Sequence, residues 1–494
     1  MSIPTNNTVF TTPREFYDEL LTLCRDTTLT DERRAHRLRL IFRIATEQAL
    51  ADEGALLCGL YQKLMVLAKQ RHFSSALLAQ LNATRQHLFL RHGDVADLRY
   101  DAKVIAEYVQ ALYPDSLMPK ALQALLPADD RPITWQPLAT HCLRCVVERW
   151  DDEYIYAQAS ADGSALQICY SADNRYLYHN DITIDWAYLR TLLRENMQLN
   201  LVYVRMEDGL CLPELIILDP DILIDVSTVA SCFEPYAESA WVHLMHRLRP
   251  STPTAATLLG NLASQFLDEC VHGEQKDYAE SIRDFFKHNA LQMLSCRDLD
   301  PATSHEKARA QRDIIRDLIG HTLPYYVEDY TAAKTLLEPS FVCETLGVQG
   351  RMDMMQSDYK VLIEQKSGKG AFPANPDPLV PRALDKHLAQ LLLYRAVLHY
   401  GYRQPARELD DIFLLYSKYE KGLLRITPSP ALLCRAIKVR NQLAWCETYY
   451  AETGFGCLRT LTPQRLNTNR LTGRLWDDFI APQLAATLAP IRQA

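Results

Sequence analysis

The sequence predicts a multi-domain α+β protein with a helical N-terminal domain, a small β-barrel, and an α/β core whose mixed sheet is flanked by helices. Three observations predict this class. The chain of 494 residues is too long for a single hydrophobic core. Its hydrophobic periodicity changes from helical to strand-like and back along the chain. Hydrophobic residues make up 48% and charged residues 23%, as in globular proteins and unlike disordered or fibrous chains.

Residues 1–125 are predicted to form the helical N-terminal domain. Apolar side chains recur there at helical spacing, for example at Phe16, Leu20 and Leu23. Residues 126–222 contain several short β-rich runs separated by turn residues, a spacing typical of a small barrel. The sequence therefore changes from a helical to a β domain near residue 126.

Residues 223–480 are predicted to form the α/β core. The chain is mainly helical to about Thr335, and β-rich segments follow at 341–366 and 412–426. Between them lies a helix predicted over 382–400. Residues 481–494 are predicted to be a tail or a linker to a further domain.

Charge and hydropathy exclude several classes of protein. The net charge of −8 argues against a protein that coats nucleic acid, although a local basic channel stays possible. No apolar run is as long as a membrane span. The start, Met1-Ser2-Ile3-Pro4, lacks the basic and apolar regions of a signal peptide. We therefore expect a cytoplasmic protein with no membrane partner.

The most informative segment is a predicted hairpin at 347–369, with its turn at Ser357-Asp358. Strand alternation puts Glu364 and Lys366 on one face of the second strand. With a two-residue turn, Asp353 would lie opposite Leu362 and beside Glu364. Two carboxylates and one lysine would then converge in a cleft, unless the hairpin is simply exposed and carries ordinary surface charges.

This trio suits phosphodiester hydrolysis. Two neighbouring carboxylates repel each other, and a divalent cation such as Mg²⁺ or Mn²⁺ relieves the repulsion. The metal activates water, and a lysine offsets charge that develops on the phosphate. The tripeptide Glu-x-Lys alone is not specific, because Glu274-Gln275-Lys276 repeats it in a polar helical context. We expect that second copy to lie on the surface.

The predicted helix after the hairpin carries Lys386, Gln390 and Tyr394 four residues apart, hence on one face. These polar groups could contact a substrate phosphate. The pattern is weak by itself, because a tyrosine that packs in the core is the more common case.

Together these motifs resemble the RecB-like branch of the PD-(D/E)XK nucleases. Asp353, Glu364 and Lys366 match the family's Asp and Glu-x-Lys, and Gln390 and Tyr394 match its Gln-x-x-x-Tyr helix. Within the branch, the sequence is most similar to the nuclease half of the Okazaki-fragment-processing ("Dna-two" type) nuclease–helicases. The resemblance covers about residues 143–461, and residues 1–125 are outside it.

The resemblance implies a set of site residues and a cofactor. The catalytic residues are Asp353, Glu364 and Lys366, and the ligands of a Mg²⁺ or Mn²⁺ ion are Asp353, Glu364 and Gln365. Residues expected to support the site or to contact DNA are Glu338, Arg351, Lys369, Lys386, Gln390 and Tyr394. The resemblance also implies that the α/β core is a PD-(D/E)XK fold and that the barrel is OB-like.

The sequence departs from the family in three places. Ser264 stands where many relatives have a metal-binding histidine. The cysteines that hold an iron–sulfur cluster in many relatives are not matched, because Cys434, Cys446 and Cys457 are widely spaced and Glu234 precedes Pro235 at the first ligand position. We therefore expect no iron–sulfur cluster. No Walker A motif occurs, so a helicase half is not part of this sequence.

The function expected from these motifs is hydrolysis of single-stranded or flapped DNA during replication or repair. The expected partner besides DNA is a helicase domain, in the same polypeptide or as a separate protein. In a bacterium the protein would associate with the nucleoid. The alternative is a catalytically inactive nuclease-fold module that binds single-stranded nucleic acid or docks a protein. The complete Asp, Glu and Lys set favours the enzyme, and the missing histidine favours the alternative.

Overall fold

The computed structural model describes residues 10, 12–51, 60–90, 98–132, 141–171, 174, 186–234, 237–247, 253–273, 276–327, 329–371, 379–406, 409 and 411–453. Glu274, Cys457 and the predicted tail at 481–494 lie outside these residues. The chain divides into two units. The first comprises Met1–Tyr178 and Asp185–Asp221, and the second comprises His179–Ile184 and Ile222–Ala494.

The first unit begins with helices. They are α1 (Pro13–Arg25), α2 (Asp31–Ala49), α3 (Leu60–Gln70), α4 (Ser75–Arg85), α5 (Leu98–Leu112) and α6 (Lys120–Gln123). Pro13 suits the first turn of α1, since its ring fixes φ at a helical value. Phe16, Leu20 and Leu23 follow at helical spacing and are all buried in the core of these helices.

A seven-stranded sheet follows in the same unit. Its strands are β1 (Cys142–Trp150), β2 (Tyr154–Ala159), β3 (Ala165–Cys169), β4 (Gln198–Val202), β5 (Arg205–Glu207), β6 (Leu210–Leu212) and β7 (Leu215–Leu218). A 3₁₀ turn at Ala187–Thr191 lies between β3 and β4. The strand order is β5-β6-β3-β2-β1-β4-β7.

The predicted OB-like barrel is not found among the described residues of this sheet. A barrel closes only when the two outermost strands pair. Here β6 joins parallel to β3 and carries β5 to one edge, whereas β7 pairs with β4 at the other edge. The strand content was predicted from sequence, but the sheet that these strands form is open.

The second unit contains the remaining strands. They are β8 (Ile224–Asp225), β9 (Phe233–Glu234), β10 (Ala237–Glu238), β11 (Thr335–Leu337), β12 (Ser340–Cys343), β13 (Val348–Arg351), β14 (Met354–Gln356), β15 (Val361–Lys366), β16 (Asp411–Tyr416) and β17 (Leu423–Arg425). The main sheet has the order β11-β14-β15-β16-β17, and β15 and β16 are its parallel pair. A smaller sheet has the order β12-β13-β8. These mixed sheets confirm the broad α+β class.

The second unit also contains helices. They are α7 (Val226–Ser231), α8 (Ala240–Arg247), α9 (Ala255–Val271), α10 (Tyr278–Ser295), α11 (Pro301–Asp317), α12 (Leu323–Tyr326), α13 (Asp385–Ala396) and α14 (Pro430–Thr453). Capping fixes where several begin: the Asp277 side chain accepts from the backbone N–H of Glu280, whose carboxylate accepts from the N–H of Asp277. No helix in the described ranges is both long and apolar enough to cross a membrane.

The two faces of the main sheet have different neighbours. Ile363 of β15 and Phe413 of β16 pack into one core with Leu262 and Phe266 of α9. Alternation puts Glu364 and Lys366 on the opposite face, which α13 covers. The polar residues of β15 therefore meet a helix rather than open solvent.

Candidate functional site: a carboxylate pair beside a lysine

The site is built on the hairpin of β14 and β15. Met355 pairs with Leu362, and the same register puts Asp353, the residue before β14, opposite Glu364. The predicted pairing of Asp353 with Leu362 is therefore wrong by two residues. Two residues are one full period of a strand, so the face that Asp353 occupies is the predicted one. The shift makes the two carboxylates direct cross-strand neighbours.

The hairpin loop explains this difference in register. The strands end at Gln356 and resume at Val361, so the loop is four residues long instead of the predicted two-residue turn. Tyr359 adopts a left-handed φ of 65°, and the N–H of Lys360 donates to Asp358 Oδ1 at 3.2 Å. The aspartate side chain stabilises a wider turn than the sequence pattern predicted.

Asp353 and Glu364 form a carboxylate pair in which Glu364 is buried and Asp353 is half-buried. Glu364 is only 2% exposed, and its Oε2 atom receives no hydrogen bond from the described residues. Asp353 Oδ2 accepts a hydrogen bond of 2.7 Å from the N–H of Gln365. Burial, reinforced by the charge of Asp353, raises the pKa of Glu364 to about 8. Burial also raises the pKa of Asp353. The pair therefore favours a bound proton or a bound cation over two free negative charges.

Lys366 supplies the positive charge of the site. Its Nζ donates to Glu364 Oε1 at 2.6 Å and to Gln390 Oε1 at 2.9 Å, with 20% of the side chain exposed. An ammonium group has three N–H donors, so one is left for a ligand.

Gln390 and Tyr394 of α13 complete a hydrogen-bonded chain from the lysine. Gln390 Nε2 donates to the hydroxyl of Tyr394 at 3.0 Å, and this hydroxyl donates to the carbonyl oxygen of Arg351 at 2.8 Å. Tyr394 is 2% exposed, and its ring packs edge-on against Phe341. Tyr394 is thus a core tyrosine and also a support for the site, and Gln390 fixes the position of the Lys366 ammonium group.

Gln365 can offer a metal only its backbone. Its side chain lies on the other face of the sheet, where Nε2 donates to the carbonyl oxygen of Ala263 at 3.1 Å. Its N–H points to Asp353. Because the N–H and C=O of one strand residue point to the same side, its carbonyl oxygen is directed that way too.

Glu338 and Arg351 lie at the solvent side of the pair. Arg351 Nη1 contacts Glu338 Oε2 at 2.8 Å, and both side chains are exposed to solvent. The N–H of Glu338 donates to the carbonyl oxygen of Asp353 at 2.9 Å, which places the two acidic residues side by side. Exposed ion pairs of this kind contribute little to stability, so Arg351 can exchange its partner for a phosphate.

The two other predicted lysines are less closely tied to the site. Lys369 is exposed beyond the end of β15 and makes no hydrogen bond to a described residue. Lys386 Nζ contacts Glu234 Oε1 at 3.4 Å. Glu234, which stands at the position compared above with a cluster cysteine, therefore has a partner in α13. Cys434 and Cys446 are both buried in α14.

Ser264, at the position where a metal-binding histidine was expected, bonds within its own helix. Its hydroxyl donates to the carbonyl oxygen of Gly260, one turn earlier in α9, at 3.3 Å. Lys276, in the second Glu-x-Lys tripeptide, pairs with Asp284 at 3.3 Å.

The donor set fits a hard divalent cation. Two facing carboxylates, one with an oxygen that lacks a hydrogen-bond donor, are the ligands that Mg²⁺ and Mn²⁺ prefer. In the described part of the chain, no three His, Cys, Asp or Glu side chains are arranged to hold a metal. Mg²⁺ is commonly bound through one or two carboxylates, with water and substrate phosphate completing its shell. The pair Asp353 and Glu364 meets that smaller requirement.

No protein-family model and no curated protein matches the chain. The site must therefore be interpreted from its own geometry.

Sequence reasoning missed Asp268 of α9. Burial, together with the negative charges of Glu338 and Asp353, raises the pKa of Asp268 to about 6, so Asp268 lies within electrostatic range of Asp353. Its signal in the sequence was its position four residues after Ser264, on the same face of one helix.

Sequence reasoning also missed His387 and Tyr416. His387 Nδ1 lies 2.8 Å from the Tyr416 hydroxyl. Tyr416 pairs in register with Lys366 across the parallel strands β16 and β15. The signal was a histidine three residues before Gln390, which is the same face of α13.

Proposed function

We propose that the protein is a divalent-metal-dependent DNA nuclease that hydrolyses phosphodiester bonds in single-stranded or flapped DNA. The observation that carries this proposal is the buried Glu364 opposite the half-buried Asp353, with Lys366 bonded to one oxygen of Glu364. Burying charge is costly, and such strongly perturbed carboxylates cluster at functional sites. A purely structural hairpin would gain stability by losing them.

Each residue has a distinct task in this reaction. Asp353 and Glu364 would hold Mg²⁺ or Mn²⁺, with the backbone carbonyl of Gln365 as a further ligand. The bound metal lowers the pKa of a water and stabilises charge on the phosphate. Lys366, held by Gln390, directs its remaining N–H at the reacting group and offsets the charge that develops there. Arg351 and Lys386 would position neighbouring phosphates.

The proposal extends to fold family and partners. We infer that the second unit is a PD-(D/E)XK core, with β14, β15, β16 and α13 as its site-bearing elements. The expected partner is a helicase domain, in the same polypeptide or as a separate chain. The place of action would be the cytoplasm, or the nucleoid in a bacterium.

A second candidate is a nuclease-fold module that binds single-stranded nucleic acid without cutting it. Ser264 in place of a histidine, and the absence of a three-ligand group among the described side chains, favour this alternative. It predicts binding that is unaffected by Mg²⁺ and no product at any metal concentration.

The two candidates separate in one assay. Purified protein is incubated with a 5′-labelled single-stranded oligonucleotide in Mg²⁺, in Mn²⁺, or in excess chelator. Shortened products in either metal, and none in chelator, support the nuclease. Retention of the intact strand without products in both metals would refute it and leave the binding module.

A further inference from the structure

A second donor group lies beside Lys366, on the same face of the sheet. Lys366 and Tyr416 are the last residues of the parallel strands β15 and β16 and are paired in register. Two hydrogen bonds link these strand ends to α13: Lys366 to Gln390, and Tyr416 to His387. The carboxyl ends of parallel strands are where open α/β sheets bind ligands.

The hydrogen bonds of the Tyr416 hydroxyl indicate which ring nitrogen of His387 carries the proton. The Tyr416 hydroxyl accepts a hydrogen bond of 3.1 Å from the N–H of Leu384. Among the described residues, the only acceptor for the hydroxyl proton of Tyr416 is His387 Nδ1, at 2.8 Å. Nδ1 is therefore the acceptor, and Nε2 carries the ring's proton. The ring is half-buried, and Nε2 has no hydrogen-bond partner among the described residues.

The surroundings of the ring select an anionic ligand. Lys366 and Lys386 both act on His387 electrostatically, so the free N–H lies in a positive field. Burial, with these two charges, lowers the pKa of His387 to about 3. At neutral pH the ring is therefore a neutral donor with one N–H available.

We propose that His387 Nε2–H donates to a non-bridging oxygen of the substrate phosphate next to the one that is cleaved. This inference rests on the proposed function and deepens it by naming a backbone-phosphate subsite. Tyr416 acts as a positioning residue, because it holds the ring in the tautomer that donates. The subsite recognises the DNA backbone and not a base, which suits cleavage without sequence preference.

The test combines two histidine variants with modified DNA. In His387→Asn, the side chain can still accept from Tyr416 but lacks a donor at the Nε2 position. In His387→Gln, the longer amide places an N–H there again. The substrates are single-stranded oligonucleotides in which one phosphate at a time is a methylphosphonate, which lacks the charged oxygen. His305→Asn is the matched control, since His305 Nδ1 also contacts a tyrosine hydroxyl, that of Tyr278, at 3.0 Å on α10 and α11.

The expected result is a loss of roughly tenfold to a hundredfold in kcat/KM for His387→Asn, the range for a lost hydrogen bond to a charged group. His387→Gln should retain most activity and His305→Asn all of it. One methylphosphonate position should slow the parent protein and have no further effect on His387→Asn. Parent-like rates in His387→Asn, or the same methylphosphonate penalty in both proteins, would overturn the inference.

A binding measurement distinguishes failure of this inference from failure of the proposed function. The same oligonucleotides are titrated in Ca²⁺ by filter binding, which needs no cleavage. If the parent protein never cuts DNA, the proposed nuclease fails. The subsite is then supported only if one methylphosphonate weakens binding to the parent and not to His387→Asn, and it is rejected if both proteins respond alike.

Discussion

Asp353, Glu364 and Lys366 contribute to the site in different ways. Glu364 is 2% exposed and shares its environment with a second carboxylate, whereas Lys366 reaches solvent and bonds both Glu364 and Gln390. A buried carboxylate next to a second acid lowers the stability of the metal-free fold. Its presence is thus better explained by ligand binding than by packing.

We expect Asp353→Asn, Glu364→Gln and Lys366→Met each to lower cleavage by about a hundredfold or more, because each removes a metal ligand or the charge near the phosphate. Circular dichroism should show an unchanged fold. Lys276→Met removes an exposed ion pair elsewhere and serves as the control. Parent-like cleavage by all three site variants would falsify the assignment.

The stability of the metal-free protein should depend on pH through Glu364. Its pKa rises from 4.5 in the unfolded chain to about 8 in the fold. The folded state therefore binds more protons between these values, and its stability falls as pH rises. In chelator, the unfolding temperature should decrease from pH 5 to pH 8, and less so in Glu364→Gln. An identical slope in the two proteins contradicts this expectation.

The residue types of the site could be predicted from sequence, because Asp353, Glu364 and Lys366 lie on adjacent strands of one hairpin. Strand alternation alone brings such residues together. Asp268 and His387 could not be predicted, since each reaches the site through the packing of a whole helix on the sheet. Local periodicity does not report that packing.

At the level of elements, the main difference between the predicted and the observed structure is the register of the β14–β15 hairpin. Turn propensity favoured the two-residue turn at Ser357-Asp358, but Asp358 accepts a hydrogen bond within a longer loop. Side-chain capping of a loop competes with the tight turn, and both suit the same residue types. Asp353 and Glu364 nevertheless share the predicted face of the sheet, because the register was wrong by an even number of residues.

Gly347, the residue before β13, leaves room for an arginine of α14 to bond to the backbone there. Gly347 has a φ of +60°, and a Cβ atom there would collide with the buried guanidinium of Arg440. Arg440 donates to the carbonyl oxygens of Gly347 and Ile222, at 3.1 and 2.8 Å. The position therefore has both a backbone and a packing requirement for glycine.

We expect Gly347→Ala to lower the free energy of unfolding by about 3 kcal/mol or more, from backbone strain plus displacement of Arg440. Gly273→Ala is the matched control: its φ is +68°, but its Cβ would meet no atom within 4 Å. It should cost only about 1 kcal/mol. Urea denaturation measures both, and equal losses would show that Arg440 is not involved.

At the scale of the whole molecule, the sequence indicated the α+β class. It did not indicate that the seven-stranded sheet of the first unit is open and not a closed barrel. Strand content follows from local pattern, whereas closure depends on which edges meet. With an open sheet in place of the barrel, the preference for unpaired DNA that we propose rests on the proposed nuclease cleft alone. In the proposed function, the lysine and the acid pair of that cleft would act on backbone phosphate and not on a base edge.

We expect the protein to bind single strands or flaps more tightly than blunt duplex, with affinity that falls as salt rises. The slope of log affinity against log salt should be shallow, roughly −0.7 for each phosphate neutralised. Arg351, Lys366 and Lys386 already have carboxylate partners, which limits the counterions released. Filter binding across a salt series measures this. Equal affinity for duplex and single strand, or no salt dependence, would refute it.

The most direct test of the account is the rate of single-strand cleavage as a function of Mg²⁺ concentration, in the parent protein and in Glu364→Gln. We expect a rate that rises from zero in chelator to saturation in the parent, and no saturable activation in the variant. Cleavage by the parent in chelator, or the same Mg²⁺ dependence in both proteins, would contradict the claim that this carboxylate pair binds the catalytic metal.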